Sequence, residues 1–420
     1  MMSASLCRFC HHPLTHRFAD LGMSPLANSY VRPEALKAKE AYYPLHAFVC
    51  DRCFLVQLEA FEPPETIFGD YAYFSSYSDS WLNHARQYVE MMIPRFGYDA
   101  QSQIVEIASN DGYLLQYFSK RGIPALGIEP AANVAREAER KGIRTDVAFF
   151  GVKTAERLAA EGIRPDLIVA NNVLAHVPDL HDFVRGLKLL LKPDGVITIE
   201  VPHLMKLMQG NQFDTIYHEH FSYFSLLALI RIFEFHELAI FDVEQLPTHG
   251  GSLRIFAKHR QDASKLATRH VADLVKKEIR FGLLRLERYA DFHRKVKETR
   301  LDVLRFFMKA RRENKRIAAY GAPAKGNTLL NYCGIGTDDI DYTVDRNPHK
   351  QGLYLPGSRI PIKPPETIMG TKPDYLFILP WNLKDEIMEQ MGGIRDWGGK
   401  FVTAIPRIAV TEAADGPGQR

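Results

Sequence analysis

The pattern that most constrains the fold is an alternation of apolar, strand-like runs with helical stretches between about residues 100 and 245. The clearest strand-like runs are QIVEIA, IPALGIEP, PDLIVANN and DGVITIEVP. Strands that alternate with helices form parallel sheets with helices packed on both faces. This part of the chain is therefore predicted to be an α/β domain.

A second alternating region closes the chain, with the runs RIAAYGAPAKGNTLLNY, DYTVDRNP, PDYLFILPW and KFVTAIP. Between the two regions, residues 263–315 contain no proline and place apolar side chains at helical spacing, which predicts one or two long amphipathic helices. Acidic residues interrupt the basic ones throughout this stretch, so we expect it to pack on a neighbouring domain instead of lying on a membrane. A second, C-terminal α/β domain is predicted.

Composition excludes several function classes. The 420 residues contain 53 Lys and Arg against 50 Asp and Glu, which gives no electrostatic argument for nucleic-acid binding. The first residues, MMSASLCRFCHH, lack the apolar core of a signal peptide, and no apolar run reaches the roughly 18 residues of a membrane span. We expect a cytoplasmic protein with two or three domains and no membrane partner.

Four of the five cysteines form two CxxC pairs, Cys7 with Cys10 and Cys50 with Cys53. Two such pairs in one short segment can surround a tetrahedral ion, and in a reducing compartment they bind metal more readily than they form disulfides. The sequence predicts a structural zinc site, because four thiolates leave no open coordination position. The alternatives are unrelated surface turns or a thiol redox site, and nearby histidines could substitute as ligands.

The strand-like run from residue 104 ends in a loop of small and polar residues, ASNDG, before a predicted helix. Small residues let a ligand approach the backbone, and a helix N-terminus offers free N–H groups. About twenty residues later Glu129 follows the next strand, where a carboxylate accepts hydrogen bonds from ribose hydroxyls. The loop fits an adenosine-type cofactor, although the G-x-G-x-x-G of dinucleotide enzymes is absent.

The segments PDLIVANNVLAHVPDL and LLLKPDGVITIEVP, in that order after Glu129, resemble the fourth and fifth strands of class I S-adenosylmethionine methyltransferases. That family usually has glycine where Ala108 stands, which changes the approach to the methionine part of the cofactor. The resemblance implies this set of cofactor-binding residues: Glu106, Ala108, Asn110, Asp111, Gly112, Glu129 and Asn171.

A cluster of ionisable side chains, Tyr217-His218-Glu219-His220, follows the fifth strand. Buried polar groups each need a partner, so such a cluster has little structural value, and it suits proton transfer. From spacing alone a metal site or a polar turn remains equally open.

Several motifs together resemble the sugar C-methyltransferases of deoxysugar biosynthesis. They are the CxxC pairs, the VEIASNDG loop, YHEH followed by Phe-Ser-Tyr, the segment THGGSLR and the segment GAPAKGN. Members of that family have a zinc-binding N-terminal module, a central S-adenosylmethionine domain and a C-terminal α/β domain that helps to hold a nucleotide sugar. The expected division is a zinc module at 1–65, a class I methyltransferase domain with a Rossmann-like fold at 66–255, a helical connector at 256–315 and the C-terminal domain at 316–420.

The resemblance implies that His220 removes the proton next to the sugar ketone, with Tyr217 and Glu219 beside it. His176 and Tyr71 resemble the other active-site positions of the family and are expected to stabilise the enolate oxygen. His176 has an alternative as a cap of the next helix. Tyr73 is the alternative to Tyr71, because neighbouring phenols alternate along an extended segment and only one can point inward.

Polar and small residues suited to the sugar or its diphosphate complete the predicted site. They are Ser75, Asn172, Gly250, Gly251, Ser252, Lys325 and Asn327. The loop from Gly321 to Gly326 is either a phosphate-binding loop or the remnant of a nucleotide fold that binds nothing.

The resulting prediction is a zinc-containing, S-adenosylmethionine-dependent C-methyltransferase. Its expected substrate is a dTDP- or other NDP-linked 4-keto-6-deoxysugar, and C3 is preferred as the acceptor carbon, although a ketone at C4 activates both C3 and C5. The alternatives are a small-molecule O- or N-methyltransferase and a docking scaffold for protein or nucleic acid. We expect a monomer or a small homo-oligomer.

Overall fold

The structure is a computed structural model that describes residues 5–63 and 75–411. Tyr71 and Tyr73, two candidates for the active site, lie outside the described residues. The chain folds into two compact units, each built from three segments of the sequence. The first unit comprises residues 1–14, 50–205 and 221–284, and the second comprises residues 15–49, 206–220 and 285–420.

The elements are numbered in chain order. The strands are β1 (His16–Ser24), β2 (Tyr43–Val49), β3 (Val56–Leu58), β4 (Ile104–Ile107), β5 (Ala125–Ile128), β6 (Thr145–Asp146), β7 (Leu167–Asn171), β8 (Val196–Pro202), β9 (Ser222–Tyr223), β10 (Leu238–Leu246), β11 (Ser252–His259), β12 (Ile317–Tyr320), β13 (Thr343–Val344), β14 (Ile362–Lys363), β15 (Tyr375–Ile378), β16 (Lys400–Thr403) and β17 (Ala409–Thr411). The α-helices are α1 (Asp79–Phe96), α2 (Leu115–Ser119), α3 (Ala132–Arg140), α4 (Val152–Ala160), α5 (Leu180–Leu190), α6 (Leu204–Gln209), α7 (Leu226–Phe235), α8 (Arg269–Phe281), α9 (Leu286–Arg312), α10 (Ala324–Cys333), α11 (Thr367–Thr371) and α12 (Lys384–Gln390).

The first unit is organised around a seven-stranded sheet with the order β10-β11-β8-β7-β4-β5-β6. Its strands β4 to β8 are parallel, and β11 runs antiparallel to both β8 and β10. The central strands are apolar along their whole length because both faces of the sheet are covered, as the fully buried β4 shows. The strand order and the single reversed strand confirm the predicted class I methyltransferase fold.

The strand order reverses at β4, which has β5 on one side and β7 on the other. Ligands of open α/β sheets bind beyond the carboxyl ends of the strands at such a point. The loops after β4, β5 and β7 are therefore where this fold places a cofactor.

The second unit contains a six-stranded sheet with the order β14-β13-β12-β15-β16-β17, parallel except for β17. This sheet confirms the predicted C-terminal α/β domain. The antiparallel pair of β1 and β2 belongs to the same unit. The ring of Phe18 on β1 stacks on Phe292 of α9, with ring centroids 4.6 Å apart.

Residues 256–315, expected to be a helical connector, begin with the end of β11 and continue as α8 and α9. The two units interleave segments of the chain, whereas the expected domains follow one another. The boundaries of those four domains stay predictions. Among the helices in residues 5–63 and 75–411, none combines the length and apolar composition that a membrane span requires.

Candidate active site

The four cysteines of the CxxC pairs converge in the first unit. Their sulfur atoms all lie within 4.8 Å of one another. The Sγ of Cys7 lies 3.5 Å from that of Cys53, and the Sγ of Cys10 lies 3.5 Å from that of Cys50. Sulfurs bound tetrahedrally to zinc at about 2.3 Å are roughly 3.8 Å apart. The four thiolates therefore fit a zinc ion, and they would hold it without an open position.

The two pairs adopt the same local conformation. The N–H of His11 donates to the carbonyl of Cys7, and the N–H of Phe54 donates to that of Cys50, each at 2.9 Å. His11 and Phe54, which follow the second cysteine of each pair, both take a left-handed backbone with φ of 57° and 60°. His12 pairs with Asp51 at 3.1 Å and is not among the converging metal ligands.

The loop after β4 has an unusual backbone. Ala108 and Asn110 have φ of 52° and 51°, and Gly112 has φ of 75°. A side chain on Gly112 would bring Cβ to 2.9 Å from Ile143. The left-handed conformation of Ala108 explains why glycine is usual at this position in methyltransferases, since glycine adopts it without strain.

Glu129, at the carboxyl end of β5, is buried and holds the loop after β4. Its Oε2 accepts from the N–H of Asn110 at 3.0 Å, and its Oε1 accepts from that of Ala131 at 2.9 Å. Burial raises the pKa of Glu129, and these two hydrogen bonds oppose the rise. Each oxygen retains a lone pair, so a ribose diol can still donate to the carboxylate.

Several buried oxygens around this loop have no hydrogen-bond partner in the described part of the chain. They are Oγ of Ser109, Oδ1 of Asp111 and Oδ1 of Asn171. Glu106 is buried beside them, and burial raises the pKa of Glu106 well above its usual range, although a hydrogen bond with the hydroxyl of Tyr113 opposes the rise. Buried acceptors without donors are costly, which indicates a ligand rich in donors. S-adenosylmethionine, with its amino group and ribose hydroxyls, meets this demand.

Ser75, expected to bind substrate, is buried against the same loop. Its N–H donates to Oδ1 of Asn110 at 2.8 Å. The ammonium group of Lys141 lies 2.8 Å from Oδ2 of Asp111 and also donates to the carbonyl of Asp111. The structure thus groups Ser75 with the predicted cofactor residues.

The segment THGGSLR comprises the tight turn between β10 and β11, residues 248–251, and the first three residues of β11. Gly250 and Gly251 have φ of 86° and 119°, values that favour glycine. The hydroxyl of Ser252 donates to the carbonyl of Thr248 at 3.0 Å, so the hydrogen of this hydroxyl is already engaged in a bond to the turn. The side-chain amide of Asn172, after β7, lies 3.3 Å from Nε2 of His249. Asn172 and this turn therefore lie together in the first unit.

A buried carboxylate, Glu200 on β8, was missed by the sequence analysis and anchors this turn. Its Oε1 accepts from the hydroxyl of Thr248 at 2.8 Å, and its Oε2 lies 2.8 Å from Nε2 of His84 and 3.2 Å from the guanidinium of Arg254. Burial alone would raise the pKa of Glu200, but the His84 hydrogen bond and the Arg254 charge outweigh it and lower this pKa. A carboxylate inside the otherwise apolar run VITIEVP was the available signal.

His176 lies in a short 3₁₀ turn, Leu174–His176, after β7. The alternative role as a helix cap is wrong, because the side chain of Asp179 caps α5 by accepting from the N–H of Asp182 at 2.9 Å. The carbonyl of Ala175, directly before His176, accepts from the N–H of Phe221 at 2.7 Å.

Tyr217 and His220 form a close pair in the second unit. The hydroxyl of Tyr217 lies 2.8 Å from Nε2 of His220, and Nδ1 of His220 lies 3.0 Å from the carbonyl of Thr215. A carbonyl can only accept, so Nδ1 carries the proton of the neutral imidazole and Nε2 presents its lone pair. This arrangement suits a general base that acts through Nε2, with a phenol beside it.

Glu219 and His218, the other members of the cluster, are buried. Oε1 of Glu219 accepts from the backbone N–H and the side-chain amide of Asn28 at 3.3 and 3.2 Å. Burial raises the pKa of Glu219. Nε2 of His218 donates to the carbonyl of Pro44 at 3.2 Å, and burial lowers the pKa of this histidine. Within the cluster, the structure therefore joins Tyr217 to His220 and gives Glu219 a separate partner.

The predicted substrate residues of the second unit have partners inside that unit. The ammonium group of Lys325 donates to the side chain of Asn382 at 2.7 Å and lies 4.9 Å from the ring of Trp381. The amide of Asn327 donates to the carbonyl of Ala27 at 2.6 Å. Substrate binding by Lys325 and Asn327 stays a prediction.

Asp214, which no motif of the sequence marks, lies near Lys325. The indole N–H of Trp381 donates to its Oδ2 at 2.7 Å. Burial raises the pKa of Asp214 to about 6, against the lowering effect of the Lys325 charge.

Three family models match successive parts of the chain. A zinc binding domain matches residues 7–68, a methyltransferase domain matches residues 81–242, and a C-methyltransferase C-terminal domain matches residues 247–406. Together they cover the cysteine cluster and most of both sheets.

Among known proteins, the C-methyltransferase NovU of Streptomyces niveus is 36% identical over 407 residues, which is 97% of each chain. A ubiquinone biosynthesis O-methyltransferase of Azorhizobium caulinodans is 30% identical over 121 residues, 26% of this chain and 47% of that protein. The structure of magnesium protoporphyrin IX methyltransferase from Synechocystis PCC 6803 with bound SAH has a TM-score of 0.35 at 14% identity, covers 46% of this chain and 92% of its own, and supports no further conclusion. The full-length relative, the matched domains, the sheet order and the four converging thiolates lead to one identification: the chain belongs to the S-adenosylmethionine-dependent C-methyltransferases that carry an N-terminal zinc-binding domain.

Proposed function

We propose that this enzyme methylates C3 of a nucleotide-linked 4-keto-6-deoxysugar. The observation that carries the proposal is the Tyr217–His220 pair, because carbon methylation next to a ketone requires a base and methylation of a hydroxyl does not require an enolate. The protein's relation to C-methyltransferases supports the same type of acceptor atom.

His220 acts as the base in this mechanism. Its Nδ1–H is engaged by the carbonyl of Thr215 at 3.0 Å, so Nε2 is the nitrogen that accepts a proton. The hydroxyl of Tyr217, 2.8 Å away, donates to Nε2, so the phenol oxygen takes the proton from C3 as it passes its own proton to Nε2. Removal of the proton leaves an enolate, whose oxygen needs a hydrogen-bond donor; His176 is proposed for that role.

The cofactor-binding residues are proposed to be those of the loop after β4 together with Glu129 and Asn171. S-adenosylmethionine, when bound, supplies the electrophilic methyl group. Glu129 accepts from the ribose, and the carboxyl group of Glu106 and Oδ1 of Asp111 accept from the donors of the methionine part. Asn172 and the Gly250–Ser252 turn are proposed to contact the sugar. A cytoplasmic location and the oligomeric state remain predictions.

The experiment that tests this function uses the wild-type enzyme with S-adenosylhomocysteine and a panel of NDP-4-keto-6-deoxysugars in deuterated water. We expect exchange of the hydrogen at C3 without turnover, detected by proton NMR, because the base works before methyl transfer. Exchange at C5 alone would assign the other carbon. If no sugar exchanges, and S-adenosylmethionine instead yields a product methylated on oxygen or nitrogen, the proposal is wrong and the small-molecule alternative holds.

A further inference from the structure

Arg8 lies between the two cysteines of the first pair, in the sequence Cys7-Arg8-Phe9-Cys10. Its side chain turns towards the protein, and its Nε is fully buried. A buried guanidinium keeps its charge, so this residue needs hydrogen-bond acceptors close by.

The acceptors of Arg8 are backbone carbonyls from two separate segments. One terminal nitrogen donates to the carbonyl of Pro178 at 2.8 Å, and the other donates to the carbonyl of Leu58. The guanidinium carbon also lies 5.4 Å from the centre of the Phe221 ring. A planar guanidinium can bind two carbonyls in fixed directions at once, which a lysine cannot do.

The metal site and Arg8 share a further partner. Oε1 of Gln57 accepts from the N–H of Arg8 at 2.8 Å, and Nε2 of Gln57 donates to Sγ of Cys7 at 3.2 Å. Gln57 belongs to β3, which pairs with β9 through Gln57 and Ser222. The position of Arg8 is thus fixed on both sides, by the CxxC turn and by β3.

The segments that Arg8 joins border the residues of the proposed mechanism. Pro178 stands two residues after His176, and Phe221 directly follows His220 in the chain. The N–H of Phe221 donates to the carbonyl of Ala175 at 2.7 Å, and the N–H of Leu58 donates to the carbonyl of Phe221 at 3.0 Å. Arg8 therefore binds the chain at Pro178, just after the short turn that carries His176. This turn is the one whose Ala175 carbonyl accepts from the N–H of Phe221.

We propose that Arg8 is a positioning residue for methyl transfer. Its side chain links the cysteine cluster to the turn that carries His176. This inference rests on the proposed role of His176. In this view the zinc-binding module contributes to the geometry of the reaction as well as to stability. A displacement of about 1 Å in a catalytic group costs on the order of 100-fold in rate, so a flexible turn lowers turnover without weakening cofactor binding.

The test compares Arg8→Met with Arg52→Met, a matched control. Arg52 also lies between two of the cysteines, but its side chain is exposed. For Arg8→Met we expect a decrease of about 10- to 100-fold in kcat. The zinc content, the KM for the sugar and the affinity for S-adenosylhomocysteine should stay within about twofold of wild type. Arg52→Met should match wild type in all four measurements.

Hydrogen–deuterium exchange supplies a readout that needs no substrate. The amides of His176 and Val177 donate to Val173 and Leu174 within the turn. They should exchange about tenfold or more faster in Arg8→Met, with little change in the peptides of β4 and β5. Arg8→Lys, which keeps the charge and one donor direction, should show an intermediate kcat and decides the question if Arg8→Met does not fold.

Wild-type kcat and wild-type exchange in Arg8→Met and Arg8→Lys would overturn the proposal. So would loss of zinc from Arg8→Met, because Arg8 would then act on the metal site itself. If wild-type enzyme fails to methylate the keto sugars, the proposed function is at fault, and the exchange experiment still tests whether Arg8 orders the turn.

Discussion

The two α/β units place an acidic residue against a loop in the same way, yet the surroundings of the two loops differ. In the first unit Glu129, after β5, accepts from the N–H of Asn110 in the loop after β4. In the second unit Asp345, after β13, accepts from the N–H of Ala322 in the loop after β12, at 2.7 Å. Both sheets therefore build the loop and carboxylate of a nucleotide-binding fold.

The polar groups around the two loops are satisfied differently. Near the first loop, Oγ of Ser109 and Oδ1 of Asp111 lack partners among the described residues. At the second loop, the carbonyl of Ala322 accepts from the hydroxyl of Tyr30 at 2.5 Å and from the ammonium group of Lys350 at 2.8 Å. The second loop thus has its Ala322 carbonyl satisfied by side chains of its own unit, although Oδ1 of Asn327, on α10 directly after that loop, also lacks a partner among the described residues. The fold alone therefore does not assign a ligand.

The largest expected effect separates proton removal from cofactor binding. His220→Asn should reduce both C3 exchange and methylation by about 10²–10⁴-fold, because the variant lacks the base. The affinity for S-adenosylhomocysteine, measured by calorimetry, should be unchanged. His218→Asn is the matched control, since the imidazole of His218 donates to the Pro44 carbonyl instead. Near-normal methylation by His220→Asn would leave Tyr217 or Glu219 as the base.

A second effect concerns the buried carboxyl of the second unit. The folded pKa of Asp214, about 6, lies above the ordinary value of 3.8, so the folded protein holds this proton more tightly than the unfolded chain. The resulting stabilisation is present below about pH 4 and is lost as pH rises through about 6, a change of up to about 3 kcal/mol.

Asp214→Asn cannot titrate but keeps an acceptor for the indole of Trp381. The free energy of unfolding of the variant should therefore increase relative to that of wild type as the pH rises from about 4 to about 7. Urea unfolding followed by tryptophan fluorescence at several pH values measures the difference. Parallel pH profiles for the two proteins would show that Asp214 titrates in the ordinary range.

The smallest expected effect tests the two acidic residues directly against each other. Glu129→Ala should weaken binding of S-adenosylhomocysteine by about 1.5–3 kcal/mol, the value of a hydrogen bond to a charged group. Asp345→Ala should leave this affinity unchanged, because its carboxylate serves the loop after β12. Calorimetry on both variants decides the matter. Equal losses in the two variants would contradict the distinction between the loops.

Local sequence patterns predicted much of the fold. The apolar runs at β4, β5, β7 and β8 were identified because a strand buried on both faces shows a continuous apolar sequence. The placement of residues 15–49 was not predictable in this way. They join the second unit through contacts such as Phe18 with Phe292, and residues so distant in sequence leave no local periodic signal.

The site shows the same limit. Glu129 was found because its distance from the loop after β4 is a local property of a β-α-β unit. Glu200 was not predicted, because its partners His84 and Arg254 come from other elements. A single carboxylate in an apolar strand gives no information about which distant residues it contacts. Asp345 was not predicted for the same reason, because its role depends on the contact with Ala322 in the folded chain.

The interleaving of the two units has a consequence for synthesis on the ribosome. Residues 15–49 are made early, but the helix α9 that covers Phe18 does not start until Leu286. At about 5–20 residues per second, the strands β1 and β2 wait on the order of 10–50 s for the rest of their unit. The first unit, in contrast, is complete once Leu284 has emerged. In a nascent chain of this protein, Phe18 on β1 therefore lacks its Phe292 partner until α9 has been made.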